Sequence, residues 1–369
     1  MMVLGRILGI ALALALVVML GARWPHYNWD MIGYVAVAYQ EDGLKGQALL
    51  NNTYADVRSF VNESSYHELI SGKYPEYRAR VASDPSALEQ QIPFYSIRVP
   101  YVELMRLLKS QSFSYAAATQ AISAGFTLLS VLALSLIFFE RNVPIALLSV
   151  VIVSAGYPEL ASMSLPDSMV CFVAFIATWL MLRGNRSAIM IASLLPLFRT
   201  DYVILSILLL GFSFATGSRI TSAIGLMVSV LLVWLINTTH GAYDWLTLMN
   251  FTFLQFVPYP AQMVPSPHLS DYISIYYGAG MKLLGHTHVL IYCLALFIWI
   301  SQRKQIPLDN NLWLLLFIPL AFLAIHLLLF PLLEVRFFVY SSSLVLVWIF
   351  THLISNAQEV NLSQPDNTG

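Results

Sequence analysis

The stretch Pro25-His26-Tyr27-Asn28-Trp29-Asp30-Met31-Ile32-Gly33-Tyr34 follows directly on the first apolar run and carries the first carboxylate of the chain. Trp24, Trp29 and Tyr34 flank Asp30, and these are residue types that favour the membrane–water boundary. From Met31 onward, Ile32, Val35, Ala36 and Tyr39 fall at helical spacing. The pattern predicts a short helix lying along the boundary, with Asp30 at its N-terminus and facing water. Two roles fit Asp30 here: a reactive carboxylate held close to lipid headgroups, or a simple N-cap.

The surrounding chain has the composition of a membrane protein. Of 369 residues, 58% are hydrophobic and 11% charged, with a mean hydropathy of +0.70, whereas soluble domains carry about a quarter charged residues. The net charge of −1 excludes bulk attraction to nucleic acid as the theme. Cys171 and Cys293 lie in separate apolar runs, so the chain offers neither a disulfide framework nor a cysteine metal motif. Arg6 followed by Ile7 to Leu20 has the look of a signal peptide, but Leu20-Gly21-Ala22 is a poor cleavage site, and the run reads as an uncleaved first span.

Working outward from Asp30, residues 41–112 are far more polar than the rest, with short helical patterns near Tyr66 to Ile70, Pro75 to Val81 and Ala87 to Gln91, and Tyr101 to Leu108 as a second interfacial helix. Apolar runs follow at about 114–139, 143–157, 168–183, 188–199, 202–217, 220–237, 283–300, 312–330 and 337–354. The expectation is an all-α integral membrane protein of about ten transmembrane helices. One polytopic domain would fill 1–355, with a long first extracytoplasmic loop (23–112), a second large outer loop (241–285) and a disordered tail (356–369). Arg141, Arg183, Arg186, Arg219, Arg303, Lys304 and Arg6 all fall on one side if spans alternate, which makes that side cytoplasmic. No internal repeat is visible.

Two features break this regularity. Leu197-Phe198-Arg199-Thr200-Asp201-Tyr202 is a turn between runs too short to cross the hydrocarbon, so it should sit below the outer surface, where backbone breaks need protein or a wet cavity beside them. Ionisable residues there mark a site or neutralise each other. In Pro331-Leu332-Leu333-Glu334-Val335-Arg336-Phe337-Phe338, Arg336 stands on the outer side against the positive-inside trend, as a snorkelling arginine or as a phosphate ligand. Pro166-Asp167 adds a third outer carboxylate, in ordinary helix-start chemistry. His286-Thr287-His288 is a close histidine pair, but its spacing suits neither one helix face nor a zinc site.

In this order the motifs resemble the polytopic glycosyltransferases of the GT-C fold, the superfamily of ArnT and the protein mannosyltransferases. The matching stretches are Asp30 in the first outer loop, Pro93-Phe94-Tyr95-Ser96-Ile97-Arg98-Val99-Pro100-Tyr101, and Pro166-Asp167 running to Leu182-Arg183-Gly184. Leu197-Phe198-Arg199-Thr200-Asp201 and Glu334-Val335-Arg336-Phe337 complete the series. The resemblance implies transfer of a sugar from a polyprenyl-phosphate donor to an acceptor hydroxyl at the extracytoplasmic face of a membrane, in cell-envelope glycan biosynthesis in a bacterial inner membrane. Asp30 would be the base, Arg336, Arg199 and Arg98 would hold the donor phosphate, and Asp167, Asp201, Glu334 and Tyr101 would support them. The implied partners are a polyprenyl-phosphate-linked sugar, a lipid or glycan acceptor and the membrane, with no nucleic acid. A divalent metal ion is left open as cofactor, with Glu41 and Asp42 the nearest acidic pair. The chemistry is coherent, since such a transfer needs a base near the hydroxyl and positive charge where the phosphate leaves. A secondary transporter or lipid-linked-glycan flippase, or a polysaccharide polymerase or ligase, are the alternative readings.

Overall fold

The computed structural model describes residues 2–23, 25–304, 306 and 308–363, so Trp24 of the opening stretch lies outside the described residues. Among those residues every regular element is helical. α1 (Met2–Arg23) leads to α2 (Asp30–Glu41). The first polar segment then folds as α3 (Gly46–Phe60), α4 (Glu63–Ser71), α5 (Pro75–Ser83), α6 (Pro85–Glu89) and α7 (Val99–Lys109). Next come α8 (Tyr115–Glu140), α9 (Leu148–Ser154), α10 (Tyr157–Ser162), α11 (Asp167–Leu182), α12 (Ser187–Phe198), α13 (Val203–Ala215) and α14 (Arg219–His240). α15 (Trp245–Phe253), α16 (Leu269–Leu284) and α17 (Thr287–Gln302) follow. α18 (Asn310–Leu312) continues through a π-helical turn, Trp313–Phe317, into α19 (Ile318–Leu329), and α20 (Val339–Ser363) closes the chain. Side-chain caps start many of them: Asn62 accepts from Ser65 N, Asp84 from Ser86 N, Ser114 from Ala117 N and Asp244 from Thr247 N.

Two apolar cores organise these helices. One, built around Met31, Leu49, Val57, Val81 and Leu88, belongs to the polar segment and the first half of α8. The other, around Phe138, Phe175, Leu205, Phe338 and Leu344, belongs to the helical bundle. Asp56 joins them. Its carboxylate, 7% exposed, accepts from the backbone N–H of Tyr115 (3.0 Å) and Ala116 (3.4 Å) at the start of α8, and from the Tyr39 hydroxyl at 2.9 Å. An anion at a helix N-terminus satisfies orphan N–H groups and complements the helix dipole.

The ten-span expectation is not met. Among the described residues four helices are long and apolar enough to cross a membrane: Leu4–Gly21, Tyr115–Glu140, Arg219–His240 and Asn310–Leu329. A fifth appears only if Leu269–Leu284 and Thr287–Gln302, bent by 75°, count as one broken span. The other apolar runs do form helices, but short ones. At ~1.5 Å per residue the 12-residue α12 and the 13-residue α13 reach only ~18–20 Å, against a hydrocarbon thickness of ~30 Å. The GT-C architecture, the ten-span multi-pass placement in a bacterial inner membrane and the side assignment built on alternating spans lose their basis with that count. α2 is corrected as well. Met31 through Ala38 are all buried, so this helix is enclosed by protein rather than lying on a membrane surface. Gly33, Ala36 and Ala38 make that possible by letting neighbours approach on every side. Finally, α20 runs to Ser363, into the stretch expected to be a disordered tail, and residues 364–369 lie outside the described ones.

α11 and α12 form a hairpin that sets the frame for the site. Asp167 begins α11 and pairs with Arg199, the residue that ends α12. Arg183 and Arg186, in the connection between the two helices, therefore lie at the opposite end of the bundle.

Candidate binding site

The start of α2 is stitched to the linker between α10 and α11. His26 N donates to Ser162 O at 3.2 Å, and Asn28 Oδ1 accepts from Ser164 N at 3.2 Å. This holds Asp30 over the first turn of α11. Trp29, not Asp30, occupies the N-cap position of α2, and no side-chain cap bond is made, so the capping role is ruled out on geometry. The Asp30 carboxylate instead accepts from Asn28 Nδ2 (3.0 Å), from the Tyr95 hydroxyl (3.0 Å) and from Arg336 Nη1 (3.4 Å). Gly33 gives Tyr95 its place: a Cβ there would lie 2.5 Å from the tyrosine ring. Burial, reinforced by Asp30, pushes the Tyr95 phenol well above its ordinary pKa, so it remains a donor.

Arg336 comes from the 3-10 turn Val335–Phe337 between α19 and α20. The turn packs on Gly156, whose φ of +86° and missing Cβ admit the Val335 side chain. Arg336 Nε lies 2.7 Å from Glu334 Oε2, though not aligned as a hydrogen bond, and Nη1 lies 3.7 Å from Asp167 Oδ2 as well as beside Asp30. Asp167 also pairs with Arg199 Nη1. Arg199 forks onto Asp201, Nε to Oδ1 at 3.0 Å and Nη2 to Oδ2 at 2.9 Å, and His326 Nδ1 approaches the same carboxylate at 3.6 Å. The result is a continuous alternation, Asp30–Arg336–Asp167–Arg199–Asp201, with Glu334 and His326 at its flanks.

Burial drives the electrostatics. It would lower the pKa of Arg199, but Asp167 and Asp201 outweigh it and hold the guanidinium well above its ordinary value. Burial raises the pKa of Asp201, but Arg199, His326 and Arg98 together outweigh it and leave the carboxylate well below its usual range. Glu334 is pushed up by burial, with Arg336 only partly compensating. Phe337 stands between the two arginines, its ring 5.2 Å from the Arg199 guanidinium carbon and 5.0 Å from that of Arg336.

This lattice floors a cavity of about 760 Å³, within the range of small-molecule sites. Its walls are aromatic and apolar, with Trp29, Phe94, Phe251, Phe256, Leu329 and Phe330 among them. Arg98 lines the same cavity and differs from Arg199 and Arg336. Its Nη1 donates to Phe94 O at 3.2 Å, its buried Nε has no hydrogen-bond partner, and among the described residues no carboxylate lies within ion-pair distance of it.

Of the residues expected to form a site, Asp30, Arg98, Asp167, Arg199, Asp201, Glu334 and Arg336 meet at this cavity. Tyr101 does not line it: it is buried, donates to Thr119 O at 3.2 Å and meets the Tyr34 ring edge-on. Glu41 and Asp42 lie elsewhere, with Asp42 accepting from the Tyr115 hydroxyl at 2.6 Å. Among the described residues no cluster of three metal-ligating side chains occurs. His286 and His288 stack on Phe338. The sequence reading passed over Glu159, Asn28, His326 and Phe337. Glu159, on the wall, follows a glycine and a proline that mark a turn, and that was its only signal.

The glycosyltransferase reading fails here as well as in topology. The carboxylate expected to act as base is occupied by three donors, and Arg336 and Arg199, expected on a donor phosphate, already face carboxylates. No GT-C catalytic arrangement is supported, and the transferase activity and its place in envelope glycan synthesis go with it. No family model, no curated protein and no solved structure matches this chain.

Proposed function

We propose that this chain is a membrane-associated protein whose cavity binds a small amphiphilic anion. The observation that carries the reading is Arg98, a cavity-lining arginine with an orphan buried Nε and, among the described residues, no carboxylate within ion-pair distance, beside two arginines that the protein has neutralised. A buried donor without a partner costs ~1–3 kcal/mol, which an anionic ligand oxygen recovers. The aromatic wall suits a ring or chain attached to that anion. Four membrane-length apolar helices support a bilayer as the source of such molecules. A polyprenyl-phosphate-linked molecule is one member of the class, as a ligand to be bound. The flooring lattice fixes the shape of the cavity and, being internally paired, leaves Arg98, with Lys73 also on the lining, to meet the anion.

The test is binding of dihexanoyl phosphatidic acid to the purified protein, followed through the fluorescence of Trp29 and Trp245 on the cavity wall. Dihexanoyl phosphatidylcholine serves as the zwitterionic control. The phosphatidic acid should bind saturably and more tightly than the control, and Arg98→Ala should weaken it by about 10-fold or more, the scale of a hydrogen bond to a charged group. Equal affinity for both lipids, or an unchanged affinity in Arg98→Ala, would overturn the reading.

A further inference from the structure

α16 turns the wrong face outward for a helix in water. Leu269, Ile273, Tyr277, Met281 and Leu284 are 72%, 60%, 71%, 56% and 76% exposed, and their spacing puts them on one stripe. None of its 16 residues is buried. Three of its polar side chains, Asp271, Tyr272 and Tyr276, bond back to the protein, while Ser270, Ser274 and Lys282 are exposed. Asp271 accepts from Ser266 Oγ at 2.6 Å, the Tyr272 hydroxyl donates to Ser266 O at 2.9 Å, and the Tyr276 hydroxyl donates to Leu328 O at 2.6 Å.

The direction of α16 is the second observation. α17 is pinned to α20 in the bundle, with His288 Nδ1 and the Tyr292 hydroxyl 2.7 and 2.6 Å from Ser342 Oγ. α16 leaves it at 75°. A 16-residue helix is ~24 Å long, so at that angle α16 advances only ~6 Å along the direction of α17. A helix lying in the interface needs its apolar face sunk ~5–10 Å, at nearly constant depth. The stripe is continuous in character with the exposed apolar faces of α17 (Leu290, Leu294, Phe297) and α14 (Met227, Leu231, Trp234). Trp245, which lines the cavity, donates to Leu329 O at 2.9 Å, next to the Leu328 carbonyl that holds Tyr276 of α16.

We infer that α16 is an in-plane membrane helix whose apolar stripe inserts into one leaflet of a lipid bilayer beside the mouth of the cavity. The occupant of this face is the acyl region beneath the headgroups. Tyr277, of a residue type stable near the headgroups, lies within the stripe, and Lys282 falls on the opposite face, away from the acyl chains. The inference depends on the chain being in a bilayer and not on which ligand fills the cavity.

The experiment uses full-length protein in phosphatidylcholine bilayers, with Cys171→Ala and Cys293→Ala as background. Single cysteines replace Leu269, Ile273, Tyr277, Leu284 and, on α14, Met227, and each is labelled with an environment-sensitive fluorophore. Lipids carrying nitroxides just below the headgroup or near the end of the acyl chain act as quenchers. All four α16 positions should be quenched more by the shallow nitroxide, with the ratio constant from 269 to 284, and Met227 more by the deep one. A steady deepening along α16 would make it half of a broken span and overturn the proposal. Quenching at Met227 with none on α16 would show the stripe covered by protein or facing water, which also overturns it. No quenching even at Met227 would remove the membrane reading together with this one. Labels at exposed positions leave the fold intact, and monodisperse elution of each variant checks it.

Discussion

Asp30 and Arg336 are separated by 306 residues of chain, yet Nη1 of the arginine lies 3.4 Å from Oδ2 of the aspartate. They close an alternating run of carboxylates and guanidinium groups that starts at the first turn of α2 and ends beside α19. Alternation keeps each buried charge beside an opposite one, which is the condition for burying charge at all.

Asp30→Asn should still fold, because the residue does not cap α2 and the amide oxygen can keep either the Tyr95 bond or the Arg336 contact, which fall on opposite oxygens of the carboxylate. Removing one negative charge from the cavity should tighten binding of an anionic probe by about 3- to 10-fold, the scale of one charge at an effective dielectric near 20. Titration of the variant with dihexanoyl phosphatidic acid measures this, and weaker binding would show Asp30 contacting the ligand directly.

Arg199 faces both Asp167 and Asp201, and its side chain is 8% exposed. Arg199→Met should destabilise the protein by roughly 3–5 kcal/mol, since it leaves the buried Asp167 with only Arg336 and the half-buried Asp201 with only His326. Adding Asp167→Asn and Asp201→Asn should recover much of the loss. Detergent-solubilised melting curves of the single and triple variants would show it.

Asp56 is a second strategic carboxylate, far from the cavity. Asp56→Ala removes acceptors from two backbone N–H groups and a tyrosine hydroxyl where α2 and α3 meet the start of α8. A loss of about 2–4 kcal/mol is expected from unsatisfied buried donors. Asp56→Asn should lose less, and limited proteolysis within α3–α7 should accelerate in the alanine variant.

Glu334 makes stability depend on pH. Its folded pKa is raised by burial, so its contribution is fully present below the ordinary carboxylate value of ~4.3 and is lost as pH rises through the raised one. Asp201 works in the opposite direction: held down by Arg199, it contributes above ~3.9 and is lost on acidification. Glu334→Gln should therefore gain Tm relative to the parent as pH rises above ~4.3 toward neutrality. Paired Tm measurements from pH 4 to 8 check the sign.

Gly33→Ala tests how closely the site is packed. A methyl group 2.5 Å from the Tyr95 ring forces the tyrosine away from Asp30. Overpacking of this kind costs about 1–3 kcal/mol. Tyr95→Phe in the Gly33→Ala background should then have almost no further effect, because the hydrogen bond is already broken.

Helix positions were readable from the chain, since apolar periodicity and punctuation by Pro, Gly and Asp act locally. The breaks at Leu197 to Tyr202 and at Pro331 to Phe338 were readable for the same reason, and both deliver charge to the cavity. How many helices reach membrane length was not readable. An apolar run followed by a turn and another apolar run has one composition whether it spans a bilayer or packs as a pair of short helices. α12 and α13 take the second course because the Arg199 turn ends one and begins the next.

What the sequence by itself determined is therefore the helical class, the apolar character and a set of charged residues placed at helix ends, because each follows from neighbours within a few positions. Only the tertiary structure decided which charges cancel. Arg199 and Arg336 each have a carboxylate two residues away, Asp201 and Glu334, but Asp167 and Asp30 reach them only through the fold, while Arg98, at the start of α7, has no carboxylate within ion-pair distance. Pairing of charges depends on distances of a few ångströms between segments remote in the chain, and Coulomb energy falls with that distance alone.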